Sequence, residues 1–290
     1  MNAYRYKTAV DLRRALEARL KNEADAKGSD YGRLRRIVVF DRIAARLSAS
    51  DQGWVLKGGT ALEFRLGLRA RATKDLDLVL RSGISDSAGL RDALVETLTA
   101  DIDRDWFVFK VGHPVDLDTD AAGNPGWRFS VDGTLAGRTF TTVRVDVVLR
   151  PAELAATERI SLPGTLEFAG IRPRSIESTD RKQHFAEKLH ALTRDYGSRP
   201  NTRVKDLVDL LLLIHDGLLP DHDLLAVVRH VFASRTTHPL PVGIPDPPPT
   251  WQSEYPALAT QTALSEQDLP SALDTLRAFW ARTTSTGATT

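Results

Sequence analysis

The chain has 290 residues, 42% of them hydrophobic, and a formal net charge of +1, enough for one large domain or two ordinary ones with a real core. It contains no cysteine, which excludes disulfides, zinc–thiolate centres and thiol nucleophiles and fits a reducing, cytoplasmic compartment. Residues Met1 to Lys7 lack the apolar core of a signal peptide, and no apolar run reaches the roughly 18 residues of a membrane span.

Charge is unevenly spread. Residues 1–74 hold seventeen Lys/Arg against eight Asp/Glu, a local excess of +9. A basic N-terminal third suggests a polyanionic partner, although a solvated basic helix surface has the same composition. In chain order, Val10, Leu12, Leu16 and Leu20 predict a helix over 8–27, broken by Gly28-Ser29-Asp30. A second helix is expected over 31–48. Leu34, Val38 and Ala45 mark one face of it, and Arg35, Arg42 and Arg46 form a row beside that face. Residues 54–57 read as a short strand, 60–68 as a helix and 76–80 as a strand. A helix over 86–99 and a strand over 106–111 follow. A polar loop spans 116–126. Strands over 128–134 and 138–149 meet at a turn near Ala136-Gly137. Beyond Pro151 the pattern becomes helical, over 176–195, 203–215, 221–234 and 270–282. A proline-rich connector runs from His238 to Pro249, and residues 283–290 look frayed. The expected architecture is α/β: a lobe over 1–155 carrying the basic helices, a mainly helical lobe over 156–290, and a cleft between them.

The chemistry concentrates at Lys57-Gly58-Gly59-Thr60 and at Arg71-Ala72-Thr73-Lys74-Asp75-Leu76-Asp77. A Gly-Gly-hydroxyl turn opening a helix can bind phosphate through backbone N–H groups, and Thr60 can cap the helix and donate as well. Strand side chains alternate, so Asp75 and Asp77 share one face while Leu76, Leu78 and Leu80 point to the core. Two aligned carboxylates can hold Mg²⁺ against substrate phosphates. Asp146 alternates with Val143, Val145 and Val147. It could complete the metal set or take a proton from an attacking hydroxyl. Each feature also has a plain structural reading: a solvated strand edge, a tight turn, or a strand aspartate paired with Arg144. Later, Lys188 could contact a triphosphate and Asp209 could orient it. A buried ion pair between packed helices would show the same residues. His184 and His190 stand six apart, a poor spacing for shared metal ligation on one helix. There is no G-x-S-x-G, Walker A or H-E-x-x-H signature.

Taken in order, Lys57-Gly58-Gly59-Thr60, Arg71-x-Thr73-x-Asp75-x-Asp77, Asp146, Ala186-Glu187-Lys188-Leu189-His190-Ala191 and Lys205-Asp206-Leu207-Val208-Asp209-Leu210 resemble the AbiEii/MenT family of nucleotidyltransferase toxins. The likeness spans roughly residues 31–255. It implies a polymerase-β-like nucleotidyltransferase core with a helical C-terminal lobe, in a toxin partnered by a cognate antitoxin. Relatives of this kind include enzymes that add nucleotides to the 3′ end of tRNA. By the same resemblance, Asp75 and Asp77 match the metal-binding pair for Mg²⁺ or Mn²⁺, with Asp146 as third carboxylate. Lys57, Gly58, Gly59, Thr60 and Lys188 match the NTP-binding set, and Lys188 and Asp209 the later catalytic lysine and aspartate. The expected function is transfer of a nucleoside monophosphate from an NTP to an acceptor hydroxyl, with tRNA contacted along Arg35, Arg42 and Arg46 and translation inhibited. The alternatives are nucleotidylation of a protein or small molecule, and a non-catalytic nucleotide- or antitoxin-binding module.

Overall fold

The computed structural model describes residues 5–81, 83–117, 125–149 and 151–286. Two helices come first, α1 (Ala9–Lys27) and α2 (Tyr31–Ala49). Thr8 and Asp30 cap them by accepting from the N–H groups of Asp11 and Arg33, and Gly28 closes α1 in the left-handed conformation, φ 61°. Next come β1 (Trp54–Lys57), α3 (Gly58–Leu66), β2 (Asp75–Leu80), α4 (Ser87–Thr99), β3 (Phe107–Asp116), β4 (Gly126–Leu135) and β5 (Arg138–Val148). The chain then forms β6 (Thr157–Ser161) and β7 (Ser175–Thr179), followed by α5 (Arg181–Thr193), α6 (Val204–His215), α7 (His222–Arg235), α8 (Trp251–Thr262) and α9 (Leu269–Ser285).

The seven strands form one mixed sheet in the order β3-β4-β5-β2-β1-β7-β6. The β2/β5 and β1/β7 pairs are parallel, and the others are antiparallel. Alternation decides which face is buried. Leu76, Leu78, Phe129, Val131, Val143, Val145 and Val147 pack with α1, α2 and α4 into one apolar core. A second core joins helices α5 to α9 with Leu62, Leu66 and Ala70. Leu62 and Leu66 lie on α3, whose Ala61 and Phe64 belong to the first core. That short helix therefore ties the two cores together, and its N-terminus falls at their junction.

Several sequence-based expectations change here. The helix expected over 176–195 is a strand, β7, followed by α5. Asp180 separates them, accepting from the Gln183 N–H as the helix cap. The sheet thus continues past residue 155, so the expected boundary falls inside the sheet-forming part of the chain. Helix α8 was not foreseen. Pro256 lies within it, and its apolar side chains Trp251, Tyr255 and Ala259 are too sparse to stand out next to a proline-rich connector. Helix α9 continues through Ser285 rather than fraying at Thr283, whose buried hydroxyl donates to the Phe279 carbonyl. Most of the polar loop over 116–126 lies outside the described residues; Asp116 ends β3 and Gly126 begins β4. Among the described residues no helix is long and apolar enough to cross a membrane.

Candidate active site

Where β1 passes into α3, Lys57 stands opposite Asp77 in the antiparallel register. Gly58 has φ 65°, and a Cβ there would lie 2.0 Å from Asp77 Oδ2. Only glycine fits both conditions. A Cβ on Gly59 would meet Thr73 Oγ1 at 3.1 Å and Arg71 Nη2 at 3.3 Å, so this second glycine lets the Arg71–Thr73 segment pack on α3. Thr60 has a different task from the one expected. Its buried hydroxyl donates to the Asp75 carbonyl at 2.7 Å, which fixes β2 against α3 and removes that oxygen from phosphate binding. Thr60 does not cap the helix either: the cap position is Lys57, with no side-chain hydrogen bond.

The three carboxylates share a sheet face. Asp77 pairs directly with Asp146 across β2 and β5, and Asp75 with Arg144. Asp146 is gripped by Arg128, a residue sequence reasoning passed over, through Nε to Oδ1 at 2.8 Å and Nη2 to Oδ2 at 2.6 Å. Arg144, the partner considered for Asp146, instead faces Asp75, with Nε 2.5 Å from Oδ1. The contact is an ion pair rather than an aligned hydrogen bond, because that oxygen has no hydrogen-bond partner. Alternation along β4 places Arg128 on this face and was the one available signal.

Among the described residues, no arginine pairs with Asp77 as Arg128 does with Asp146 and Arg144 with Asp75. Burial and the neighbouring Asp146 push the Asp77 carboxyl up to about 6, against the pull of Lys57 and Lys188. Across from it, α5 and α6 present a tight ionic cluster. Lys188 Nζ lies 2.7 Å from Asp206 Oδ1 and 2.9 Å from Asp209 Oδ2. Arg71 donates to both oxygens of Asp209 at 2.8 Å. Burial opposes ionisation of Asp209, but Lys188 and Arg71 outweigh it and hold the carboxyl at about 2. Lys57 Nζ sits 3.0 Å from Glu187 Oε2, and Lys57 together with Arg235 overcomes burial to hold Glu187 at about 2. His184 is buried with neither ring nitrogen hydrogen-bonded; burial, then Lys188, lowers it to about 3 and keeps it neutral.

A cleft of about 300 Å³ opens over this junction, lined by Lys57, Gly58, Asp77 and Lys188 together with Arg194, Tyr196, Arg203 and Arg235. Arg194 and Arg203 both stack over Tyr196, at 5.4 and 5.5 Å from its ring centroid. The latter four residues escaped sequence reasoning, since nothing local distinguishes them from surface residues. Lys57, Gly58, Asp77 and Lys188 do converge here, with Asp209 behind Lys188; Asp75 and Asp146 flank Asp77 on the sheet.

Among the described residues no group of three His, Asp or Glu is arranged to hold a metal ion. The donor chemistry nevertheless suits a hard divalent cation. All three candidates are carboxylates on one face, and a cation there would offset both the burial and the Asp146 repulsion that raise Asp77.

The row of Arg35, Arg42 and Arg46 does not form a surface track. Arg42 and Arg46 are each 1% exposed. Arg46 donates to both oxygens of Asp105, at 2.8 and 2.9 Å, and to the Phe107 carbonyl at 3.0 Å. Arg42 reaches Asp103 and Asp41, each at 3.2 Å. Arg35 donates to the Phe140 carbonyl and lies 4.2 Å from the Phe140 ring centroid. Much of the basic excess of this third of the chain is therefore neutralised inside the fold. Helical periodicity puts the three on one stripe but does not reveal that Asp103 and Asp105 come to meet them.

A mixed sheet with a glycine turn and paired aspartates at its centre, open to a basic cleft, is the arrangement of a nucleotidyltransferase. The family model described as "Nucleotidyl transferase AbiEii toxin, Type IV TA system" matches residues 42–282. The chain belongs to that family and is a nucleotidyltransferase toxin of the type IV toxin–antitoxin class. Among solved structures, an antigenic nucleotidyltransferase-like protein from Paracoccidioides brasiliensis superposes with a TM-score of 0.41 at 17% identity, covering 71% of this chain and 89% of that one. The search of curated proteins finds no match.

Proposed function

We propose that the protein transfers a nucleoside monophosphate from an NTP to the 3′ hydroxyl of tRNA, so inhibiting translation, and that a cognate antitoxin restrains it in the cytoplasm. The observation that carries this reading is the position of Asp77. It lies between the Gly58 turn, Lys57 and Lys188 on the cleft side and Asp146 on the sheet side.

Lys57, Lys188 and the backbone at Gly58 hold the triphosphate, and the ionic cluster behind Lys188 fixes where its charge points. Tyr196, backed by Arg194 and Arg203, offers a stacking surface for the base. Asp75 and Asp77, with Asp146 as third carboxylate, would hold Mg²⁺ or Mn²⁺, which supplies Lewis-acid stabilisation of the phosphate charge and lowers the acceptor hydroxyl pKa. A new bond forms from the acceptor oxygen to the α-phosphorus. The bond to the bridging β-oxygen breaks, and pyrophosphate leaves with that electron pair. Asp146 takes the hydroxyl proton. Positioning and charge stabilisation supply most of the rate.

The test incubates the purified protein with each labelled NTP and Mg²⁺, in parallel with total tRNA, with protein extract and alone. Label at the tRNA 3′ end with release of pyrophosphate is expected. Label in protein or in a small product instead would move the acceptor class, and no transfer with any acceptor would leave only binding.

A further inference from the structure

Asp77 divides two cationic regions. The cleft holds Lys57, Lys188, Arg194, Arg203 and Arg235. Arg128, Arg144, Asp75 and Asp146 do not line it; Arg144 and Asp146 on β5 and Arg128 on β4 lie beyond Asp77 from β1, and Asp75 precedes Asp77 on β2. The registers lay out a row across four strands, Lys57–Asp77–Asp146–Arg128, and a second row, Asp75–Arg144–Ser130. Farther out, Thr142 stands by Asp132 and Asp132 by Lys110.

This face of β3, β4 and β5 is open. Alternate residues on it, Lys110, Ser130, Thr142 and Arg144, are exposed, while their neighbours are buried against the helices behind. Val108 is also exposed on it. The Arg128 and Arg144 side chains are 35% and 44% exposed. Both guanidinium groups therefore reach solvent, although the Asp146 carboxylate that Arg128 grips is itself buried. Both are planar forks suited to phosphate as well as to carboxylate. They face the carboxylates that a cation would engage, and a cation there would compete for those oxygens and free the guanidinium groups.

An in-line displacement requires the attacking oxygen and the leaving pyrophosphate on opposite sides of the α-phosphorus. With the triphosphate in the cleft, the acceptor must approach from the sheet side. Strands lie about 4.8 Å apart, so Arg144 stands about one strand spacing from the β2 carboxylates and Arg128 about two. Those are distances over which the last phosphodiesters of a polynucleotide could be held.

We propose that the open face of β3, β4 and β5 is the docking surface for the acceptor strand. Arg128 and Arg144 grip its terminal phosphodiesters and set the 3′ hydroxyl beside Asp77. This inference rests on the polynucleotide-acceptor reading above. It replaces the α2 arginine row, of which the fold buries Arg42 and Arg46.

The experiment measures tRNA binding across a KCl series for the wild type, the Arg128→Gln/Arg144→Gln double variant and Ser130→Arg. NTP binding and the KM for each substrate are measured alongside, and circular dichroism checks folding. Neutralising one phosphate of a single strand contributes roughly 0.7 to the salt slope, so the double variant should lose about 1.4 and bind tRNA at least about tenfold more weakly. Its KM for tRNA should rise while NTP affinity stays unchanged. Ser130→Arg adds a cation to the same face and should tighten binding and steepen the slope by about 0.7; it carries the test if the double variant does not fold. Wild-type affinity and slope in both variants, with tRNA still labelled by the wild type, would overturn the surface assignment alone. A wild type that neither binds nor labels tRNA would overturn the acceptor reading and this inference with it.

Discussion

Replacing Asp77 by asparagine should make the metal-free protein more stable while destroying its activity. The carboxyl is raised from 3.8 to about 6 by burial and by Asp146 beside it. A folded-state value above the unfolded one means that the folded protein binds the extra proton between about pH 4 and pH 6. Stability is therefore lost as pH rises through that window, and the full cost is present above about pH 6. A shift of about two units corresponds to about 3 kcal/mol at 1.36 kcal/mol per unit. Asparagine keeps the shape and discards the charge, so Asp77→Asn should recover up to about 3 kcal/mol at pH 8 and almost nothing at pH 4. For a chain of this size that is a rise in Tm of roughly 5 °C. The assay is urea and thermal denaturation of both proteins in EDTA at the two pH values, repeated with Mg²⁺ at pH 8. Mg²⁺ should stabilise the wild type, by mass action on the folded state, far more than the variant. Equal stability of the two proteins at pH 8 in EDTA, or the same gain at both pH values, would refute the argument that Lys57 and Lys188 only partly offset the burial of the Asp77 charge.

Other outcomes follow from the same geometry. Asp75→Ala should abolish nucleotide transfer with little change in Tm, because a half-exposed strand pair contributes little to stability, and the loss should exceed that of Asp146→Asn in a labelled-NTP assay. Gly58→Ala should be as damaging as loss of Asp77 itself, since its Cβ would collide with that carboxylate at a positive φ; near-normal turnover would mean the two residues do not share a site. Arg46→Gln should lower stability by about 3–5 kcal/mol, as expected when one partner of a buried ion pair is removed, while any soluble folded fraction binds tRNA normally. Measured urea midpoints that match the wild type would return Arg46 to the surface.

Periodicity and local chemistry determined a good deal without any tertiary information. The strict alternation Asp75-Leu76-Asp77-Leu78 leaves a half-buried strand no choice but to put both aspartates on one face, and the structure does so. The caps at Thr8, Asp30 and Asp180 act within three residues and so are local in origin, yet Asp180 read as the interior of a helix because the strand before it was hidden. What remained hidden depends on partners remote in the chain. Arg42 and Arg46 read as a surface stripe because the Asp103 and Asp105 that bury them lie about sixty residues away. Thr60 read as a phosphate donor because β2 had not yet been laid against it. β7 read as the start of a helix because a short strand is specified by the neighbour it pairs with, here β1 and β6, more than by its own residues. The residues of the site could be picked out one by one. Its division into a cleft and a sheet face arises only when the sheet and the helical core meet at the N-terminus of α3.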